Sequence, residues 1–292
     1  MNPKTINEVL AGTFTGDVNQ TFMQALHHGH IKVAILLLKD PRVDPASYNN
    51  FAIQSASRDG FTDVIKLLLA NSRADPTAEN NYAIRYASYY GHAEVVKLLL
   101  ADHRVDPAAR NNFAIKVASQ YGYTEVVKLL LADSRVDPAA ENNIAIRWSS
   151  CNGHTEVVKL LLADSRVDPA TKNNAVIRWS SRNGYTDVVK LLLADSRVDP
   201  SAKNNAAIKY ASCNGNTEVV KILLISLKHK FNIINYIETT NKSYKFSQKV
   251  SDGIKELLID HVVKYRWIMK MFLIQYLTTD LTSQINHFID TK

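Results

Sequence analysis

The stretch Asn112–Pro138, NFAIKVASQYGYTEVVKLLLADSRVDP, decides how this chain folds. It spells out two short helices. In the second, Thr124 stands where an N-cap is expected, and Glu125 puts negative charge into the first turn, where the helix dipole favours it. Val126, Val127, Leu129, Leu130 and Leu131 then form a wide apolar face, with Lys128 left for solvent. Asp137-Pro138 follows, and a proline cannot continue a helix. The first helix is expected to start at Asn112, a favoured N-cap, and to close at Gly122, which can take the left-handed conformation of a C-cap.

The stretch recurs. Gly29, Gly60, Gly91, Gly122, Gly153, Gly184 and Gly215 step by 31 residues, as do Pro45, Pro76, Pro107, Pro138, Pro169 and Pro200. Seven of the ten glycines and six of the eight prolines thus obey one period, which excludes an irregular enzyme domain over most of the chain. Neither helix can hide its apolar face alone, so unit must stack on unit. Counting back, Phe22–Pro45 is a divergent first unit, giving seven.

Bulk composition narrows the class further. The chain of 292 residues is 46% apolar and 22% charged, values that suit a protein with a buried core. Met1–Gly16 has no apolar run of the signal-peptide kind. Trp267–Leu277, the most apolar stretch, is broken by Lys270 and Gln275 and falls short of the ~18–20 apolar residues of a membrane span. Cys151 and Cys213 lie two periods apart. With stacked elements ~8–10 Å apart they are too distant for a disulfide, and they read as free thiols in a reducing compartment. The expectation is a soluble intracellular protein. His27, His28 and His30 have no Cys or carboxylate to complete a ligand set at zinc-like spacing, so no metal is assigned. No phosphate loop, nucleophile elbow or His-Glu-x-x-His pattern occurs, which argues against an enzyme and against a cofactor.

Gly153–Leu162, GHTEVVKLLL, resembles the second helix of an ankyrin repeat, and Ala87-Ser88-x-x-Gly91-His92 resembles the close of its first helix. The similarity covers about residues 19–228. It implies an all-α fold, an ankyrin-type helical solenoid of seven 31-residue repeats, that binds another protein. Two departures stand out. Tyr82-Ala83-Ile84-Arg85 replaces the family's Thr-Pro-Leu-His, and the period is 31 where the family has about 33. Ser-Arg-Val-Asp-Pro also stands where the family has a Gly-containing turn, so the family's fingertip contacts are not carried over. This Asn-Asn/Asp-Pro version is similar to the multi-copy ankyrin proteins of giant viruses that infect amoebae. That likeness implies a host protein as partner and the host cytoplasm as location. It also implies an alternative, an adaptor whose repeats select a target while C-terminal helices recruit machinery such as a ubiquitin ligase. No recruiting motif can be matched to residues of this chain.

Positions that stay constant between copies serve stacking, and those that vary are free to serve a partner. On a helical wheel with Ile84, Ala87 and Ser88 buried, position 86 points directly away from the core, flanked by 82 and 89. Along the repeats the outward place reads Ser55, Tyr86, Val117, Trp148, Trp179, Tyr210, and its companion Arg58, Tyr89, Gln120, Cys151, Arg182, Cys213. In ankyrin proteins this side of the first helix lines the concave groove. Trp, Tyr and Arg are enriched at interface hot spots, so Tyr86, Tyr89, Trp148, Trp179, Arg182 and Tyr210 are the candidate partner-binding residues. The competing reading has the same rings leaning sideways to fill gaps between neighbouring first helices.

A second row, Gln54, Arg85, Lys116, Arg147, Arg178, Lys209, is either a positive ladder for an acidic partner or a set of pairs with acids of the adjacent repeat. Residues 112–142 carry three cations against four anions, and residues 143–173 four against three. Repeats so close to neutral are poor phosphate binders, so nucleic acid is not the expected partner. Residues 1–18 form a lead-in, 19–228 the solenoid, and 229–292 a helical C-terminal capping region that includes a degenerate repeat. From 225 on there are ten Lys/Arg against six Asp/Glu, a net +4 out of the total +7. Nucleic-acid binding through this basic end is the least favoured reading, and no small-molecule ligand is expected.

Overall fold

The computed structural model describes residues 2–227, so the capping region assigned to 229–292 lies outside the described residues. The described chain is all-helical. A lead-in helix α1 (Pro3–Leu10) precedes seven helix pairs: α2 (Val18–His27) and α3 (Ile31–Leu38); α4 (Ser47–Asp59) and α5 (Thr62–Ala70); α6 (Ala78–Tyr90) and α7 (Ala93–Ala101); α8 (Ala109–Tyr121) and α9 (Thr124–Leu131); α10 (Ala140–Cys151) and α11 (Thr155–Ala163); α12 (Thr171–Asn183) and α13 (Thr186–Ala194); α14 (Ala202–Cys213) and α15 (Thr217–Leu227). Two compact units result, one from Met1–Ser149 with Ala163–Val167, the other from Ser150–Leu162 and the residues from Asp168 onward. In the first, α2, α4, α6 and α8 pack in series, as do α3, α5, α7 and α9. In the second, α12 packs on α14 and α13 on α15. This is a repeat solenoid, in which each pair covers the apolar face of the one before.

The core follows the apolar pattern. Ala114, Ile115 and Ala118 of α8 and Val127 and Leu130 of α9 are fully buried, while Lys128 is exposed. The helix starts differ from expectation. Asn112 is not an N-cap: Arg110, Asn111 and Asn112 stand at φ 52°, 58° and 59°, three left-handed residues in a row, and regular right-handed helix follows. The same triplet precedes every first helix from Tyr48–Asn50 to Lys203–Asn205. Asn tolerates this region better than most residues because its short side chain can bond locally, which explains the Asn pair. Its side chain also faces forward. Asn112 Oδ1 accepts the Asp137 N–H at 2.7 Å, and Asn50, Asn81 and Asn174 repeat the bond 25 residues ahead.

Thr124 is likewise not a cap. It is the first residue of α9, its hydroxyl donating to Gly122 O at 3.4 Å. Tyr123 before it, at φ −76° and ψ 79°, forms an inverse γ-turn closed by the Thr124 N–H on Gly122 O at 2.9 Å. The backbone has already turned the chain, so the side-chain cap is redundant. Gly122 does close α8 in the left-handed region as expected, at φ 78°.

A third device joins the repeats. Arg135 pairs with Asp133 at 2.6 Å and donates through Nη1 to Val105 O, 30 residues back, at 2.7 Å. Arg104 does the same with Asp102 and Ala74 O. The bond from the arginine holds the Asp102 and Asp133 carboxyls below the ordinary carboxylate range. A carboxyl whose pKa is depressed by folding adds stability above its unfolded pKa of about 3.9, and that contribution is lost as pH falls through the lower folded value. Asn71 stands at this place in another repeat, so Asp133→Asn should fold. The variant is expected to melt slightly below wild type at neutral pH, with the gap closing as pH falls below the unfolded value of about 3.9 and through the lower folded one. Melting curves at stepped pH check this; a gap that stays constant into acid would mean the ion pair contributes nothing.

Candidate interaction surface

Arg85 and Arg178 are held in place by the left-handed triplets. At three of the six left-handed turns the long side chain five residues on donates to the turn's own carbonyls. Arg85 donates to Asn80 O at 2.9 Å and Glu79 O at 3.0 Å, and Arg178 to Asn173 O and Lys172 O, both at 3.1 Å. Gln54, the neutral member of the row, bonds Asn49 O at 2.7 Å in the same way. Lys116 takes the other course and pairs with Glu141 of the next repeat at 2.6 Å, which lowers the glutamate's pKa. The expected pairing with acids of the adjacent repeat therefore holds at Lys116, while Arg85 and Arg178 bond their own backbone turns.

The outward position of the first helices also needs correction. Ser55 and Val117, at that place on α4 and α8, are only 2% and 4% exposed. Neighbouring first helices stand close enough to cover a short side chain, so only a long one reaches out.

In the first unit a tyrosine cluster fills this face. The rings of Tyr82 and Tyr86 stack at 3.9 Å, and Arg85 lies 5.5 to 5.8 Å from them and from Phe113 of the next repeat. Burial lowers the Arg85 pKa, with the charge on Arg110 adding to it. The Tyr89 and Tyr121 hydroxyls are hydrogen-bonded at 3.1 Å, and this bond raises the Tyr89 pKa. Tyr90 closes the group edge-on to Tyr89 at 4.9 Å. Tyr86 and Tyr89 are thus brought together, half-buried, with Tyr82, Tyr90 and Tyr121, which the sequence-based selection had left out. Tyr90 and Tyr121 share one row of the repeat, the signal that could have found them. Trp148, half-buried on α10, stands apart from that cluster.

In the second unit Trp179 on α12 and Tyr210 on α14 lie near-parallel at 6.3 Å, each 38% exposed. The Arg182 guanidinium sits 5.1 Å over the Trp179 ring, a cation–π contact. Three of the six candidates are therefore one group. Cys151 and Cys213 are free thiols. Among the described residues no helix is long and apolar enough to cross a membrane, and no three His, Cys, Asp or Glu gather as a metal site.

A family model described as ankyrin repeats, built of three copies, matches residues 22–111, 53–144, 84–173 and 144–235. The first three matches begin 31 residues apart, at 22, 53 and 84, the period of the glycines and prolines. No curated protein matches the chain.

Proposed function

The chain belongs to the ankyrin-repeat family, and from that premise we propose that it is a non-enzymatic scaffold whose protein partner seats on the outer face of its first helices. Ankyrin repeats are generally protein–protein interaction modules. One observation carries the reading. Ile84, Ile115 and Ile177, which serve the stack, are the same residue in every repeat after the divergent first, where Phe22 stands, and fully buried, whereas the outward place changes from Ser55 to Trp179. Trp179 and Tyr210 keep large rings partly in solvent with no packing need that Ser55 fails to meet, and such rings are the usual anchors of an interface. The tyrosines of the first unit, being mutually stacked and bonded, serve in part to fill the face they line.

The double variant Trp179→Ala, Tyr210→Ala should lose about tenfold or more in partner capture from native cells while its melting temperature changes little. Capture at wild-type yield would sink the proposal, and a collapse in melting would reassign the pair to packing. Residues 229–292 we assign as end cap, on their helical apolar spacing and the need of a last repeat for cover. The likeness to the giant-virus proteins supports a host protein in the host cytoplasm as the partner. The adaptor alternative rests on that likeness alone.

A further inference from the structure

In the first unit the charges on the first helices are partly offset. Arg58, Arg85, Arg110, Lys116 and Arg147 are set against Asp59, Glu79 and Glu141. Arg58 pairs with Asp59 at 2.8 Å and Lys116 with Glu141 at 2.6 Å. The second unit breaks this balance. Its packed first helices α12 and α14 carry Lys172, Arg178, Arg182, Lys203 and Lys209 and no acidic residue at all. The difference arises largely at one slot, the first residue of the left-handed triplet. In the first unit it holds Tyr48, Glu79, Arg110 and Glu141, two of the four acidic, and in the second Lys172 and Lys203; Glu79, Glu141, Lys172 and Lys203 are all exposed. None of the five cations is in an ion pair among the described residues; Arg178 bonds backbone carbonyls and Arg182 lies on Trp179.

We infer that this face of the second unit docks an acidic protein segment bearing an apolar or aromatic anchor. The inference rests on the protein-binding reading and names the chemistry of the partner. Five cations with no ion-pair partner among the described residues, on the two helices that carry two part-exposed rings, are complementary to carboxylates flanking an apolar side chain. Single-stranded nucleic acid would also meet positive charge and aromatic rings, but stacking a base needs a bare π-face. Arg182 already covers one face of Trp179, so a base stacking on that face would have to displace it. A carboxylate displaces nothing: it meets the guanidinium where it lies and bonds it through both oxygens.

The test selects peptides from a random dodecamer phage library on the immobilised full chain, then measures the selected sequence by fluorescence anisotropy. Selected peptides should be rich in Asp and Glu around a Leu, Phe or Trp. Their affinity should fall about tenfold or more in Lys172→Glu, Lys203→Glu and in Trp179→Ala, weaken with added salt, and stay unchanged in Lys128→Glu, a reversal on the exposed side of the second helix α9. The reversals at Lys172 and Lys203 install the residue that Glu79 and Glu141 already provide at that slot, so they leave the fold intact, and circular dichroism verifies this. Peptides without acidic bias, or insensitive to those reversals, overturn the inference; if they still need Trp179, the protein-binding reading stands. A selection that yields no peptide also overturns it, and oligothymidylate binding in its place takes down the protein-binding reading as well.

Discussion

Asn112→Ala should destabilise the repeats by about 2–4 kcal/mol. Two terms add. Asn112 stands at φ 59° and ψ 39°, where an alanine pays roughly 1–2 kcal/mol that asparagine partly avoids. Its side chain also accepts the Asp137 N–H at 2.7 Å, and deleting that acceptor leaves a partly buried donor unmet, worth about 1–3 kcal/mol. Asn112→Gly separates the terms, because glycine adopts the left-handed region freely yet cannot supply the acceptor. Urea midpoints should therefore rank wild type above the glycine variant and the glycine variant above alanine. An alanine variant as stable as the glycine one would show that the triplet carries no strain.

Gly91→Ala should lose about 2–4 kcal/mol, and Gly29→Ala only about 1. Both glycines close a first helix at positive φ, 79° and 69°. They differ in what a methyl group would meet. At Gly91 a Cβ would sit 2.8 Å from Cδ1 and Cε1 of Tyr123 in the following repeat, and 3.0 Å from Cγ, near the root of the side chain where the ring cannot swing clear. At Gly29 nothing lies within 4 Å. The pair thus measures how much of the periodic glycine serves the backbone and how much makes room for the next repeat. Equal losses would mean that the tyrosine yields at no cost.

The helices, their pairing and their closing glycines were legible in the sequence because each depends on local pattern: apolar spacing in Val126–Leu131, a residue without Cβ at Gly122. The starts were not. Asn before a helix is read as an N-cap because single left-handed residues are common and runs of three are rare. Nothing local says that Asn112 bonds Asp137, a partner in the next repeat. Thr124 misled for a related reason, since the inverse γ-turn at Tyr123 is a backbone device with no composition of its own. The candidate surface was half legible. A wheel drawn on one helix puts position 86 outward, but the proximity of its neighbours, which buries Ser55 and Val117, belongs to the stack. Charge counted over whole repeats hid the cationic face as well. From α5 on, each second helix adds a neutral pair such as Asp187 and Lys190 at 3.1 Å, while the connections add two acids against one arginine, Asp195 and Asp199 against Arg197, which offsets part of the excess on α12 and α14.

The bonds that join repeat to repeat also set how the chain acquires its structure. Asparagine to aspartate amide spans 25 residues, arginine to carbonyl 30, and tyrosine to tyrosine 32. Each is closed by a loop about one repeat long, and adding repeats makes that loop no longer. The entropy of closing a contact is therefore set by the repeat and not by the chain. Folding of such a molecule starts at whichever pair of neighbouring repeats first locks together and then grows outward one repeat at a time, at a speed typical of far smaller proteins.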